Sequence, residues 1–84
     1  MVDVELFDRD KAILRFEEEQ LNDVGSKHDA IRNTFGISHQ RYYQLLNALI
    51  DTQAAEAYRP LVVHRLRRLR AERAEARKAL TSTL

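Results

Sequence analysis

Turn-forming residues are scarce in this chain, and their scarcity limits the folds open to it more than any other feature. Its 84 residues include only two glycines and one proline. No stretch alternates apolar and polar residues with the period of two that marks a half-buried strand. Apolar residues recur instead at helical spacing. The sequence therefore predicts an all-α fold, a small orthogonal helix bundle in a single domain over residues 1–84.

Capping residues divide the chain into five predicted helices. Asp8 is a candidate N-cap for the first helix, and Ser26 with Asp29 resembles a capping box for the second. Ser38 and Thr52 can each accept a backbone hydrogen bond at the start of a further helix. The predicted helices cover residues 9–21, 27–35, 39–50, 53–58 and 60–80, and the last of them is long and basic.

Apolar stripes on these helices define the predicted core. On helix 39–50, the stripe contains Tyr42, Leu45, Leu46 and Leu49, and the amide side chains lie on the opposite face. Leu6 and Phe7, just before the first helix, are expected to staple its start to the core. The residues predicted to be mostly buried are Ile13, Phe16, Ile31, Phe35, Ile37, Tyr42, Leu45, Leu46, Leu49, Val62, Leu66 and Leu69.

The last predicted helix carries a narrower stripe, with gaps of four and three residues as in a coiled-coil seam. Its members are Val62, Leu66, Leu69, Arg73, Ala76 and Leu80. The first half of this seam is apolar enough to pack firmly, and Arg73 interrupts the second half. The seam is therefore a candidate surface for a homodimer.

Charge is distributed unevenly, although the net charge is only +1. Residues 1–25 hold eight acids and three bases, net −5, and residues 59–84 hold eight bases and two acids, net +6. This asymmetry favours a polyanion as partner of the C-terminal half. The alternative is a basic helix that is simply solvated, and the acidic run Glu17–Glu19 is likewise expected to be solvated.

Several functional classes lack any support in the sequence. The absence of cysteine excludes disulfides and thiolate metal sites, and the three histidines show no ligand-like spacing with carboxylates. There is no nucleophile elbow or phosphate loop, so we expect no enzyme and no cofactor or metal. No apolar run approaches the ~18 residues of a membrane span, and the first ten residues do not resemble a secretory signal. The expected location is the cytoplasm, at the nucleoid.

Residues 30–49, AIRNTFGISHQRYYQLLNAL, place a glycine-containing turn between two short helices. This stretch resembles the helix-turn-helix of bacterial transcription factors, including the C-terminal region of sigma factors. Its apolar and turn positions hold Ile31, Phe35, Gly36, Ile37, Tyr42 and Leu45. Arg32 departs from the motif, which prefers Ala where the two helices approach closely. The resemblance implies DNA binding.

The chain also resembles, over most of residues 8–78, a small actinobacterial family of unknown function. The shared pattern is a "RYYQxLN" helix, here Arg41–Asn47, followed by a proline, here Pro60, and by an "RLRR" segment, here Arg65–Arg68. This likeness implies no particular activity.

The helix-turn-helix resemblance implies a set of DNA contacts. A helix fits the major groove, where Gln and Asn can bond bidentately to adenine and Arg to guanine. The groove-facing set would be Ser38, His39, Gln40, Tyr43, Gln44 and Asn47. Spacing along the helix predicts, independently, that Tyr42 lies in the core and that Tyr43 faces outward. Phosphate contacts would come from Lys27 and Arg41, and from Arg65, Arg67, Arg68 and Arg70 of the basic helix.

The function expected from these features is that of a DNA-binding protein, a small transcriptional regulator acting on double-stranded DNA. One alternative is a protein-interaction module whose acidic N-terminal helix binds RNA polymerase or another transcription protein. Another is a nonspecific nucleoid-associated protein that uses only the basic helix. The net charge of +1 fits the interaction module better than a strong DNA binder.

Overall fold

A computed structural model of the protein describes residues 6–20 and 26–82. These residues form helices and connecting turns, with no β-strand among them, which confirms the all-α prediction. The described helix ends lie within two residues of the predicted ones, and residue 21, the predicted end of the first helix, lies outside the described residues. The helices are α1 (Asp8–Glu19), α2 (Lys27–Phe35), α3 (His39–Leu49), α4 (Gln53–Tyr58) and α5 (Pro60–Ser82).

Two of the predicted caps form as expected. The Ser38 hydroxyl accepts a hydrogen bond from the backbone N–H of Arg41 at 3.2 Å, at the start of α3. Thr52 does the same for Ala55 at the start of α4, also at 3.2 Å. Between α2 and α3, Gly36 has a φ of 71°, the left-handed conformation that closes many helices. These local signals fix where α3 and α4 begin.

Three predictions at the other helix starts are wrong. The N-cap of α1 is Phe7, and Asp8 is the first helical residue, where its carboxylate faces the positive end of the helix dipole. Ser26 is the N-cap of α2, but its side chain makes no capping bond, because its ψ of 56° departs from the extended backbone a capping box requires. The box with Asp29 is therefore absent. Leu6 packs against the core, whereas Phe7 is 74% exposed and staples nothing.

The core lies where α1 meets α3, α4 and the first turns of α5. Of the twelve residues predicted to be buried, seven are buried and five are only partly buried. Phe35 is one of the five, and the centroid of its ring lies 5.4 Å from that of Phe16 and 5.5 Å from that of Tyr42. The buried arcs are wider than the predicted stripes, because α1 and α5 are each covered by more than one helix. The buried apolar residues missed by the prediction are Leu14, Ile50, Ala55 and Val63.

The two halves of α5 differ in their surroundings. Val62 and Val63 are buried, whereas residues from Ala71 onward are largely exposed and Leu80 is 71% exposed. The second half of the predicted seam is therefore largely exposed. Across residues 6–20 and 26–82, no helix is both long enough and apolar enough to cross a membrane.

Candidate functional site

The outer face of α3 carries a row of amide side chains. Gln40, Gln44 and Asn47 are all exposed, at spacings of four and three residues that align them along one side of the helix. Arg41 is exposed beside them, and its Nη1 donates a hydrogen bond to Oε1 of Gln44 at 3.4 Å. The opposite face of α3 is buried. The row thus offers amide donors and acceptors to an outside partner over about two helical turns.

Tyr43 lies between this exposed row and the core. Its ring is partly buried and meets the ring of Tyr42 edge-to-face at 5.3 Å between centroids. The ammonium of Lys27 stands 5.4 Å from the centroid of the Tyr43 ring. The sequence predicted that Tyr43 faces outward, and the structure instead packs much of its ring against neighbours, as it does fully for Tyr42.

His28 and His39 bring the starts of α2 and α3 together. Their rings stack at 3.7 Å between centroids with an interplanar angle of 2°. His39 is thereby partly covered, and Ser38 is partly buried as well, so these two predicted contacts present less surface than the amides. Nothing in the sequence indicated this stack. In the described part of the chain, no three potential metal ligands from His, Asp and Glu come together.

A carboxylate is buried behind α3. Glu17 is only 3% exposed, so the prediction that this acidic run is solvated is wrong for Glu17. Its Oε2 accepts a hydrogen bond from the Tyr42 hydroxyl, and its Oε1 lies 3.0 Å from Nζ of Lys27. The pKa of the Tyr42 hydroxyl is raised well above its ordinary value, chiefly by burial and secondly by the negative charge of Glu17. Lys27, a predicted phosphate contact, is thus already ion-paired.

Two of the four predicted phosphate-binding arginines of α5 are bonded within the chain. Arg67 donates from Nε to the backbone oxygen of Ile50 at 2.6 Å and from Nη1 to Glu56 at 3.1 Å. Arg70 donates from Nη2 to Oδ1 of Asp51 at 2.6 Å. The hydrogen bond from Arg70 holds the pKa of the Asp51 carboxyl below its usual value. These contacts tie α5 to the end of α3 and to α4.

The other two predicted arginines have looser surroundings. Arg68 is exposed, and its Nε lies 3.9 Å from the Glu72 carboxylate one helical turn away, the ion pair that the spacing predicts. Arg65 is partly buried and makes no ion pair with any residue in the described part of the chain. The four arginines therefore divide into two that support the fold and two that do not.

A groove of about 400 Å³ runs between α3 and α5, with the end of α1 and the start of α2 at its side. It joins part of the α3 face to the basic helix in one concave surface. Arg73 and Arg77 belong to it, although the predicted contact set omitted both. Their positions, eight and twelve after Arg65, form one row along α5, and that spacing was the signal available in the sequence. The residues that line the groove include Gln20, Lys27, Tyr43, Asn47, Arg65, Arg70, Arg73 and Arg77.

Residues 5–78, which include all of α1 to α4 and most of α5, match a family described as "Protein of unknown function (DUF3263)". The chain belongs to this family. The description of DUF3263 assigns no activity, and it agrees with the sequence resemblance to a small family of unknown function. Neither a curated protein nor a solved structure matches the chain.

Proposed function

We propose that the protein binds double-stranded DNA and acts as a small transcriptional regulator. The observation that carries this proposal is the exposed row of Gln40, Gln44 and Asn47 on α3. The major groove admits an α-helix, and amide side chains can pair bidentately with the edge of adenine. In this proposal, α3 reads bases and Arg41 contacts a phosphate or a guanine.

The junction before α3 supports the same function. α2 ends at the left-handed Gly36, and three residues later α3 begins under the Ser38 cap. Two short helices joined by a short glycine-containing turn are the arrangement that presents a recognition helix in helix-turn-helix proteins. Arg32, which departs from the motif, is exposed, so its charge is not buried between α2 and α3.

The groove between α3 and α5 supports phosphate contacts from the C-terminal helix. Asn47 of α3 lines the same surface as Arg65, Arg73 and Arg77, so one ligand can meet both helices. Arg68 does not line the groove but is exposed, whereas Arg67 and Arg70 stay engaged with α4 and with the end of α3. Phosphate contacts of this kind contribute affinity that is independent of sequence and falls with salt.

The rival function is docking of the acidic N-terminal helix to RNA polymerase or another transcription protein. This helix has few acidic side chains left to bind such a partner. Glu17 is buried, and Glu18 lies 3.4 Å from Nε of Arg59, so two of the three acids in the run already have partners. Nonspecific nucleoid association, the third reading, would leave the amide row without a role. A homodimer on two half-sites fits the proposal.

The decisive experiment is selection from a random-sequence DNA pool, followed by titration of the enriched site and of random DNA at matched salt. Gln44→Ala should lose about 1–3 kcal/mol of binding free energy for the enriched site and much less for random DNA. Gln53→Ala, which removes an exposed Gln on α4, is the matched control and should bind as wild type does.

The result of this selection distinguishes the proposed function from its two rivals. A pool that enriches no motif would reject sequence-specific recognition and would favour one of the two rivals. An enriched motif bound equally by wild type and Gln44→Ala would keep DNA binding but would place the base contacts outside the amide row.

A further inference from the structure

The exposed charges of α1 differ from those that its acidic composition suggests. Glu17 is buried and Glu18 is already ion-paired. Lys11 and Arg15, by contrast, make no ion pair with any residue in the ranges 6–20 and 26–82. They are four positions apart and therefore neighbours on the helix surface, a spacing at which like charges repel each other. An anion between them would relieve this repulsion, so the pair is a candidate contact for a negatively charged partner.

Tyr58, the last residue of α4, brings these two cations to one place. Nη1 of Arg15 donates a hydrogen bond to the Tyr58 hydroxyl at 2.8 Å, and Nζ of Lys11 lies 5.8 Å from the centroid of the Tyr58 ring. This hydrogen bond uses one of the five N–H donors of Arg15, so its guanidinium can also bind a carboxylate. A cation that is already positioned in this way loses less conformational freedom when it binds a partner.

An exposed aromatic side chain precedes the two cations on α1. Phe7 lies one helical turn before Lys11, whose backbone N–H donates to the Phe7 oxygen at 3.0 Å. The Phe7 side chain is 74% exposed. Phenylalanine, tyrosine and arginine are all enriched at protein–protein interfaces relative to the rest of protein surfaces. We call Phe7, Lys11, Arg15 and Tyr58 together the α1–α4 patch, which combines positive charge with an exposed apolar side chain.

Exposed acids lie within one helical turn of both cations. Asp8 is three positions before Lys11. Glu18 and Glu19 follow Arg15 by three and four positions. These acids would repel an extended polyanion, such as DNA or an anionic membrane, that reached the cations. A short protein segment can instead place a few carboxylates at the two cations and an apolar side chain against the aromatic ring. The α1–α4 patch therefore fits a protein segment better than an extended polyanion.

We propose that the α1–α4 patch binds an acidic segment of another protein, in which carboxylates flank an apolar side chain. The carboxylates pair with Lys11 and Arg15, and the apolar side chain packs on Phe7. A contact of this extent belongs to the small, transient class of interfaces. The patch shares no residue with the amide row of α3 or with the arginines of α5, so the proposal stands independently of DNA binding. It also differs from docking through the acids of α1, which would require a basic partner.

The test is an NMR titration of the full chain with a synthetic peptide whose central phenylalanine is flanked on both sides by glutamates. Saturable shifts of backbone amides in α1 and α4 are expected. Lys11→Gln with Arg15→Gln should weaken this binding about fivefold or more, because two charge-assisted contacts are lost. The charge-matched control Arg32→Gln with Arg68→Gln alters two exposed arginines outside the patch and should change binding less than about twofold.

Phe7→Ala tests the apolar part of the contact. It should weaken binding of this peptide and leave unchanged the weaker binding of a peptide with glycine in place of the central phenylalanine. Absence of saturable binding would overturn the proposal, as would shifts confined to α3 and α5 or equal losses in the two double variants.

Titrations with duplex DNA and with phosphatidylglycerol vesicles distinguish the other possible partners. The variant with both Lys11→Gln and Arg15→Gln should bind DNA no more weakly than the charge-matched control does. If this variant instead lost DNA or vesicle binding while the wild-type chain bound no peptide, the patch would belong to an extended polyanion and the proposal would be wrong. Peptide binding without DNA binding rejects only the proposed function, and DNA binding without peptide binding rejects only the α1–α4 patch.

Discussion

The phenol of Tyr42 on α3 donates a hydrogen bond to the carboxylate of Glu17 on α1, joining residues 25 positions apart inside the core. Lys27, at the start of α2, lies 3.0 Å from the other carboxylate oxygen. Three helices are thus fixed by one buried acid. Because burial and the adjacent carboxylate both raise the pKa of the Tyr42 hydroxyl, this group stays protonated and remains a donor.

Tyr42→Phe is expected to destabilise the fold by about 1–3 kcal/mol. The ring keeps its packing, but the Glu17 carboxylate loses a hydrogen bond where water cannot replace it. Tyr58→Phe is the matched control, because its hydroxyl accepts from Arg15 at an exposed site, and its loss should cost about 0.5 kcal/mol or less. Urea unfolding measures both. Equal free energies of unfolding for the two variants would show that the buried pair contributes no net stability.

Gly36→Ala is expected to cost about 1–2 kcal/mol, because a β-carbon is disfavoured at a φ of 71°. A Cβ at this position meets no atom within 4 Å, so the cost comes from the backbone alone. Gly36→Asn should cost clearly less, since Asn tolerates the left-handed region. Thermal unfolding of the three proteins checks the order. If Asn destabilised as much as Ala, the turn between α2 and α3 would need a different explanation.

Acid should weaken the contact between α5 and the segment after α3. The Asp51 pKa is lowered from 3.8 chiefly by the hydrogen bond from Arg70. A carboxyl whose pKa is lower in the folded state stabilises the fold above its unfolded pKa, and this stability is lost as pH falls through the folded pKa. Asp51→Asn should therefore show a shallower loss of stability than wild type between about pH 5 and about pH 2.

Urea unfolding at a series of pH values measures this difference. Because Asp51 lies at the surface, the difference should shrink in about 1 M salt, where exposed charges are screened. Parallel acid profiles for wild type and Asp51→Asn would mean that the pair with Arg70 does not persist in solution.

The features that the sequence predicted best depend on contacts within a few residues. The caps at Ser38 and Thr52 involve a backbone group three positions later, and the buried face of α3 follows from periodicity alone. Glu17 was misjudged because its partners lie 10 and 25 residues away, and a run of three glutamates looks the same whether solvated or buried. The local sequence pattern of a helix does not indicate which other helix will pack against it.

In the candidate site, too, local features were predicted from the sequence and long-range contacts were not. Spacing placed Gln40, Gln44 and Asn47 on one exposed face, as the structure has them. It could not show that Arg70 would be held by Asp51, 19 residues away, or that Arg73 would share a groove with α3. Such distinctions require the packing angle of α5, which no segment of the sequence encodes by itself.

Arg67 and Arg68 are neighbours on α5 with opposite expected roles, which makes them a matched pair for the last prediction. Arg67→Gln removes the donor to the backbone oxygen of Ile50, the residue that ends α3, and the contact with Glu56. This should destabilise the fold by about 1–2 kcal/mol, discounted for partial exposure. Arg68→Gln loses one exposed ion pair at 3.9 Å and should change stability by at most about 0.5 kcal/mol.

For DNA binding, the expected order of the two variants reverses: Arg68→Gln should have the larger effect. Arg68 is exposed and held only by the 3.9 Å ion pair with Glu72, so its guanidinium can turn to a phosphate. Arg68→Gln should therefore weaken binding to all sequences alike and should reduce the slope of log K against log salt by about 1. Arg67→Gln, measured well below its unfolding midpoint, should keep the wild-type slope, because its guanidinium is held against Ile50 and Glu56. Chemical unfolding and salt-dependent titration of the same two variants give both quantities. A salt slope changed by Arg67→Gln but not by Arg68→Gln would mean that Arg67 leaves its intramolecular partners to bind DNA. Unchanged salt slopes in both variants would mean that neither arginine contacts DNA phosphates.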